Sequence, residues 1–358
     1  MKFIHCADLH LDSKMDGFPS DKSKLRREEI VRTFERLADY ANENGVKAVI
    51  IAGDMFDTSR ITIKTREVVL HVFEKYQNVD FIYLSGNHDD VNFISSMNEL
   101  PTNLKIIGKD WTNFEYGNVV VTGTILTSLN KKTAYDTLIL DPEKVNIVTL
   151  HGQVAGYNSN ELSEIINIPA LKEKNIDYLA LGHIHSYVKA KIDDRGVYSY
   201  SGCLDGRGFD ELGDKGFVLI DVDGKNVQSD FVKFSSRTLH EVEFNVDGYQ
   251  TWYSAMDMFL TRILDSYDKD CLIKVVLKGE HKPDFFIDKD QFAKRLNEKF
   301  FFAKVYDKTE LKVSTEDYIN DKSVRGEFVR SVWESDLSAQ EKRRVILCGL
   351  NALKGEEF

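Results

Sequence analysis

The chain has 358 residues, 42% of them hydrophobic and 29% charged, with a formal net charge of −11. That length holds one large domain and one or two smaller ones, and that composition excludes a fibrous or disordered chain. Surplus acid is an unfavourable footprint for a nucleic-acid binder, whose phosphate contacts need cations, unless part of it surrounds bound metal.

The opening MKFIHCADLH places charge and histidine where a secretory leader would be apolar, and no apolar run reaches bilayer length. The four cysteines (Cys6, Cys203, Cys271 and Cys348) lie far apart without a CxxC, which argues against a disulfide framework and a zinc ribbon. A cytoplasmic protein without membrane contact is expected.

Residues 2–7 read as a strand. Ile30, Phe34, Leu37, Ala38 and Ala41 recur at helical spacing, and Gly45 stands where that helix would stop. VKAVIIAGD (46–54) has the unbroken apolar character of a strand buried on both faces. Val69, Val72, Phe73 and Tyr76 mark a second helix, and DFIYLSG (80–86) a third strand. This βαβαβ order implies a parallel sheet with both faces covered. Further strands are predicted at 118–123, 145–150, 177–181, 187–192, 197–201, 216–222 and 227–234. The closer spacing of the later ones predicts antiparallel pairing on the far side of a β-sandwich flanked by helices.

The pattern changes near residue 236. Strand 239–245, helix 250–266, strand 271–278, helix 288–299 and strand 302–307 predict a small α+β unit, and helices at 322–334 and 338–353 close the chain. Predicted domains are thus 1–235, 236–314 and 315–358. Residues 231–358 carry 21 basic and 23 acidic side chains, so the acidity belongs mainly to the first 230. The apolar faces of the last two helices (Phe328, Val329, Val332, Trp333; Val345, Ile346, Leu347, Leu350, Leu353) suit packing on their own domain or docking of a partner.

Chemistry gathers at strand ends. The first strand runs into Asp8-Leu9-His10, the second into Gly53-Asp54, and the third into Gly86-Asn87-His88-Asp89. Later ones end at His151 and at Gly182-His183-Ile184-His185. In an open α/β sheet the carboxyl ends of parallel strands line one crevice. Carboxylates and imidazoles converging there would be costly if buried unpaired, and metal resolves that cost. Seven ligands exceed the need of one ion; two ions bridged by one carboxylate would use them all. Imidazole and carboxylate without thiolate suit Mn²⁺, with Fe²⁺ or Zn²⁺ also compatible.

This ordered set of motifs resembles the calcineurin-like metallophosphoesterases over residues 1–234. The resemblance implies an αββα sandwich in which Asp8, His10 and His185 hold one metal, Asn87, His151 and His183 the other, and Asp54 bridges them. His88 would sit beside the scissile phosphate as the catalytic group, with Asp89 orienting its ring or forming a plain salt bridge. A narrower similarity, carried by ADLHLDS, GDMFDTS and YSGCLDGRGFDELGDKGF (200–217), is to SbcD-like DNA-repair exonucleases of the YhaO type. It implies DNA as substrate, a capping α+β domain, C-terminal helices that bind the coiled coil of an SMC-like ATPase, and a homodimer formed through helices near the N-terminus.

Two positions depart from the pattern: Cys203 stands where many members have serine, and Asp57 where many relatives have histidine. Arg207 is a candidate phosphate clamp or a surface loop contact; His5 reads as a core or supporting histidine, and Asp12 and Ser13 as residues of the pocket mouth. The competing readings are a phosphodiesterase or phosphatase for a small nucleotide or a phosphoprotein, and a binding subunit with a vestigial metal site.

Overall fold

The computed structural model describes residues 1–57, 61–86, 89, 92–95, 99–131, 133–155, 165–282, 285–312, 318 and 320–354. The chain divides into two compact units, Met1–Thr238 and Leu239–Phe358.

The first unit is built on two six-stranded sheets. One takes β1 (Lys2–Cys6), β2 (Val46–Ala52), β3 (Asp80–Leu84) and β4 (Leu104–Ile106), paired in parallel. The other takes β5 (Thr112–Tyr116), β6 (Val119–Gly123), β7 (Val145–His151), β8 (Tyr178–Gly182), β9 (Val188–Lys191) and β10 (Val197–Tyr200), in the order β9-β10-β8-β7-β6-β5. The hairpin of β11 (Gly216–Asp223) and β12 (Asn226–Lys233) corrects the expectation from spacing. It is antiparallel, but it extends the first sheet by pairing β11 with β1, not the far one. Spacing reveals a hairpin and carries no information on which sheet edge receives it.

Alternation along β1 shows how the layers arise. Phe3 faces the core between the sheets, with Ile50, Val121, Ile147 and Tyr178. Ile4 and Cys6 face α1 (Ser20–Glu43) and α2 (Ile63–Lys75), with Phe34, Leu37, Val69 and Phe73. The outer face of the second sheet is covered by Tyr135, Leu138, Ile166, Ile168 and Leu171. Helix α1 begins at Ser20, ten residues before its apolar repeat, because its buried face continues upstream through a charge. Arg26 is fully buried and donates to Asp205 Oδ1 (2.8 Å), Gly206 O (2.7 Å), Glu29 Oε2 (2.5 Å) and Ser236 Oγ (2.9 Å).

His5 joins the two sheets. Its Nε2–H donates to Leu181 O at 3.1 Å, and its Nδ1 accepts from Tyr178 Oη at 2.9 Å. Burial, only partly opposed by the Leu181 carbonyl, holds this imidazole down at about 3 from the usual 6.5.

In the second unit, β13 (Leu239–Asn245), β14 (Leu272–Lys278) and β15 (Phe302–Asp307) pair in parallel through α3 (Trp252–Leu264) and α4 (Lys289–Asn297). Helices α5 (Val324–Trp333) and α6 (Ala339–Lys354) bury Val329, Ile346 and Leu350 and leave Val345, Leu347 and Leu353 exposed. No helix among the described residues is long and apolar enough to cross a membrane.

Removing one partner of a buried ion pair strands the other, so Arg26→Met should cost about 3–5 kcal/mol in urea unfolding. The His5 contribution to stability is complete above pH 6.5 and is lost as pH falls towards 3, because the unfolded chain binds the proton first. Between pH 6.5 and 5 the parent protein should therefore lose roughly 1.5–2 kcal/mol more unfolding free energy than His5→Gln, as the one-proton slope requires.

Candidate metal centre

The carboxyl ends of β1, β2, β7 and β8 meet at one place. Beyond the strands, the first two chains stay zipped together: Asp8 N donates to Gly53 O (3.1 Å), His10 N to Asp54 O (3.0 Å) and Leu11 N to Met55 O (2.9 Å). Asp8, His10, Asp54 and His183 adopt φ of 52°, 45°, 49° and 101°, a left-handed region that L-residues enter at a cost and that clusters at functional sites.

Ligand-type atoms of Asp8, His10 and His185 lie within 4.8 Å of one another, and so do those of Asp8, Asp54 and His151. Asp54 Oδ2 stands 3.4 Å from His151 Nε2 and 4.0 Å from His10 Nε2. The Nε2 atoms of His10 and His185 face each other at 3.2 Å. His183 gives its backbone N–H to both oxygens of Asp8 (2.9 and 3.1 Å) and sets its ring 5.5 Å from that of His151; it falls into neither group. Asn87 and His88 lie outside the described residues.

All three grouped imidazoles are held from behind by Nδ1. His151 donates to Ala52 O at 2.9 Å and His185 Nδ1 lies 2.7 Å from Glu211 Oε1. His10 Nδ1 stands 3.0 Å from Asp57 Oδ1, an ion-pair contact off the line of a good hydrogen bond. A neutral imidazole fixed this way turns its Nε2 lone pair forward. Burial alone would lower His151, but Asp54 and Asp8 hold it up at about 9, so this place calls for positive charge. Burial likewise opposes, and the Glu211 hydrogen bond with the Asp8 charge outweighs it, raising His185.

Three glycines make the approach possible, the first being Gly53, where a Cβ would overlap the His151 ring. A Cβ at Gly86 would overlap the Asp54 carboxylate, and one at Gly182 would overlap the Ala52 carbonyl. Asp89 accepts from Phe56 N (2.8 Å) and Gly86 N (2.7 Å), clamping the turns after β2 and β3 to each other, and burial holds its carboxyl up at about 6. Asp12 accepts from Thr62 N (2.5 Å) and Thr65 Oγ1 (2.7 Å), so it fastens the start of α2. Arg207 donates to Asp57 Oδ1 (2.9 Å) and Glu211 Oε1 (2.7 Å). Sequence reading passes over Glu211 and Lys215; the signal for Glu211 is its four-residue spacing from Arg207. Lys215 is buried and gives Nζ to the His185 carbonyl at 2.7 Å.

Comparison with known proteins accounts for this geometry. A family model described as calcineurin-like phosphoesterase matches residues 1–187, more than half of the chain. The uncharacterised metallophosphoesterase YhaO of Bacillus subtilis (strain 168) is 25% identical over 244 residues, 64% of this chain and 60% of its own length. The DNA double-strand break repair protein Mre11 of Sulfolobus acidocaldarius is 23% identical over 305 residues, 78% of this chain and 75% of its own. The chain thus spans less than two thirds of YhaO. A dimetal phosphatase from Danio rerio superposes on 62% of this chain and 92% of its own with a TM-score of 0.41 at 11% identity. The family's fold implies a dinuclear divalent-metal site, and buried carboxylates with forward-turned imidazoles fit such a site. The chain belongs to the calcineurin-like phosphoesterase family, hydrolases acting on phosphoester bonds.

Proposed function

We propose that the protein is a DNA exonuclease or endonuclease that works with two Mn²⁺ ions and an SMC-like ATPase partner. The observation that carries the metal reading is the convergence of the His10, His151 and His185 imidazoles on two buried carboxylates, with His151 fixed by an Nδ1 hydrogen bond and His10 and His185 backed by acidic side chains. In this reading Asp8, His10 and His185 hold one ion, Asn87, His151 and His183 the other, and Asp54 lies between. Bound divalent ions would supply Lewis acidity, lowering the pKa of water and offsetting charge on phosphoryl oxygens. His183 steadies Asp8 through its backbone N–H, and Asp89 ties the main chain at Phe56 to that at Gly86. His88 would give a proton to, or hydrogen-bond with, the leaving oxygen.

DNA as substrate is supported by the similarity to Mre11, a DNA double-strand break repair protein. Residues 236–314 would serve as the cap, and the helical segment 315–358, with the exposed Val345, Leu347 and Leu353 of α6, as the surface for the partner. The acidity of the first 230 residues favours a second reading, a phosphodiesterase or phosphatase for a small nucleotide or a phosphoprotein, which needs no basic groove.

Mn²⁺-dependent degradation of end-labelled single- and double-stranded DNA tests the choice, with His88→Asn as control. Cleavage lost in the variant supports the nuclease. Turnover of a small chromogenic diester without any DNA cleavage, even after addition of the ATPase, supports the second reading. Gly86→Ala pushes a methyl group into Asp54, so it should lose bound metal and at least about 100-fold in activity, the scale at which a small displacement of catalytic groups acts. Metal analysis of the purified variant checks this, and full occupancy with full activity would remove Asp54 from the centre.

A further inference from the structure

Behind the histidines runs a chain of charged groups centred on Arg207. Its Nη1 donates to Asp57 Oδ1 at 2.9 Å, while Nε and Nη2 donate to Glu211 Oε1 at 2.9 and 2.7 Å. Those two oxygens also face rings: Asp57 Oδ1 is 3.0 Å from His10 Nδ1, and Glu211 Oε1 is 2.7 Å from His185 Nδ1. Glu211 Oε2 accepts the Arg207 backbone N–H at 2.7 Å, which closes the turn on itself. The neighbouring Asp205 and Gly206 are fastened to α1 by Arg26. One guanidinium, whose Nη2 also lies 3.3 Å from His185 Nδ1, therefore ties together the two carboxylates that stand behind the rings of His10 and His185.

We propose that Arg207, with Asp57 and Glu211, is a positioning device for one of the two metal ions and does not act on the phosphate. The inference rests on the reading of His10 and His185 as ligands of a single ion. An arginine suits the task because its planar fork reaches two carboxylates in fixed directions, which a lysine point charge does not. Acidic neighbours fix the ring and raise the basicity of the ligating nitrogen, and their loss commonly weakens metal binding by about 10–100-fold. Removing Arg207 also leaves Asp57 and Glu211 without the cation between them, so both rings should loosen together. His151 is held by a main-chain carbonyl instead, so the second ion should not notice.

The test is calorimetric titration of the full chain with Mn²⁺, alongside hydrolysis of a chromogenic diester at saturating Mn²⁺. Arg207→Met and the isosteric Glu211→Gln should each weaken one of two Mn²⁺ sites by about 10–100-fold and leave the other unchanged. The diester KM at saturating Mn²⁺ should stay as in the parent, with kcat rising towards the parent value as Mn²⁺ is raised. Unchanged Mn²⁺ affinity together with a raised KM overturns the proposal and makes Arg207 a phosphate clamp. If circular dichroism shows that Arg207→Met does not fold, Glu211→Gln decides. Asp54→Ala separates the two levels of inference: retention of both Mn²⁺ sites there overturns the ligand assignment, and this proposal with it.

Discussion

Two carboxylates buried side by side set the terms for the rest of the catalytic unit. Asp8 and Asp54 are 1% and 2% exposed; Asp8 belongs to both clusters of nitrogen and oxygen atoms within 4.8 Å, and Asp54 to the one with His151. Such groups are tolerated in a protein interior only with compensating charge and hydrogen bonds. Here the compensation comes from imidazoles on the second sheet and from the His183 amide. The left-handed backbone at four of these positions costs of order 1–3 kcal/mol each. Main-chain bonds that continue past the ends of β1 and β2 resist its relaxation. Strand pairing thus serves a second purpose, as the clamp for a strained site.

Support is arranged in tiers. Asp89 couples the turns after β2 and β3, Asp57 and Glu211 stand behind two rings, and Arg207 joins those acids. Farther out, Arg26 holds Asp205, which also accepts from Thr33 Oγ1 at 3.0 Å and Ser236 N at 2.9 Å. Each tier places hydrogen-bond or ion-pair partners behind the one before it.

Much of this was legible in the residues. Asp8, His10, Asp54, His151 and His185 stand out because ligand-type side chains follow apolar runs, and a parallel sheet brings such ends together. Helix α2 and ten of the twelve strands of the two sheets follow from apolar patterning, whereas β4 and β5, at the sheet edges, are not expected from it. Where the reading stops short, the reason is distance along the chain. Glu211 and Arg207 look like an ordinary i, i+4 pair until Asp57, 150 positions away, is seen on the other side. The early start of α1 is hidden because Arg26 is buried by pairing with Asp205, 179 positions on, so no apolar signal marks it. The edge chosen by the 216–233 hairpin depends on β1, and hydrophobic patterning is silent on that choice. Asp12 looks like part of a pocket mouth, yet its partners are the first residues of α2.

The close pass at Gly182 has a mechanical consequence. A side chain between two sheets acts as a spring, since it can change rotamer when its neighbours shift. Where Gly182 meets the Ala52 carbonyl, no side chain of its own stands between the two strands. A displacement of β2 at Ala52 is therefore felt directly at Gly182, the residue before His183. Asp54, two residues beyond Ala52, and His183, next to Gly182, are geared to one another across the two sheets.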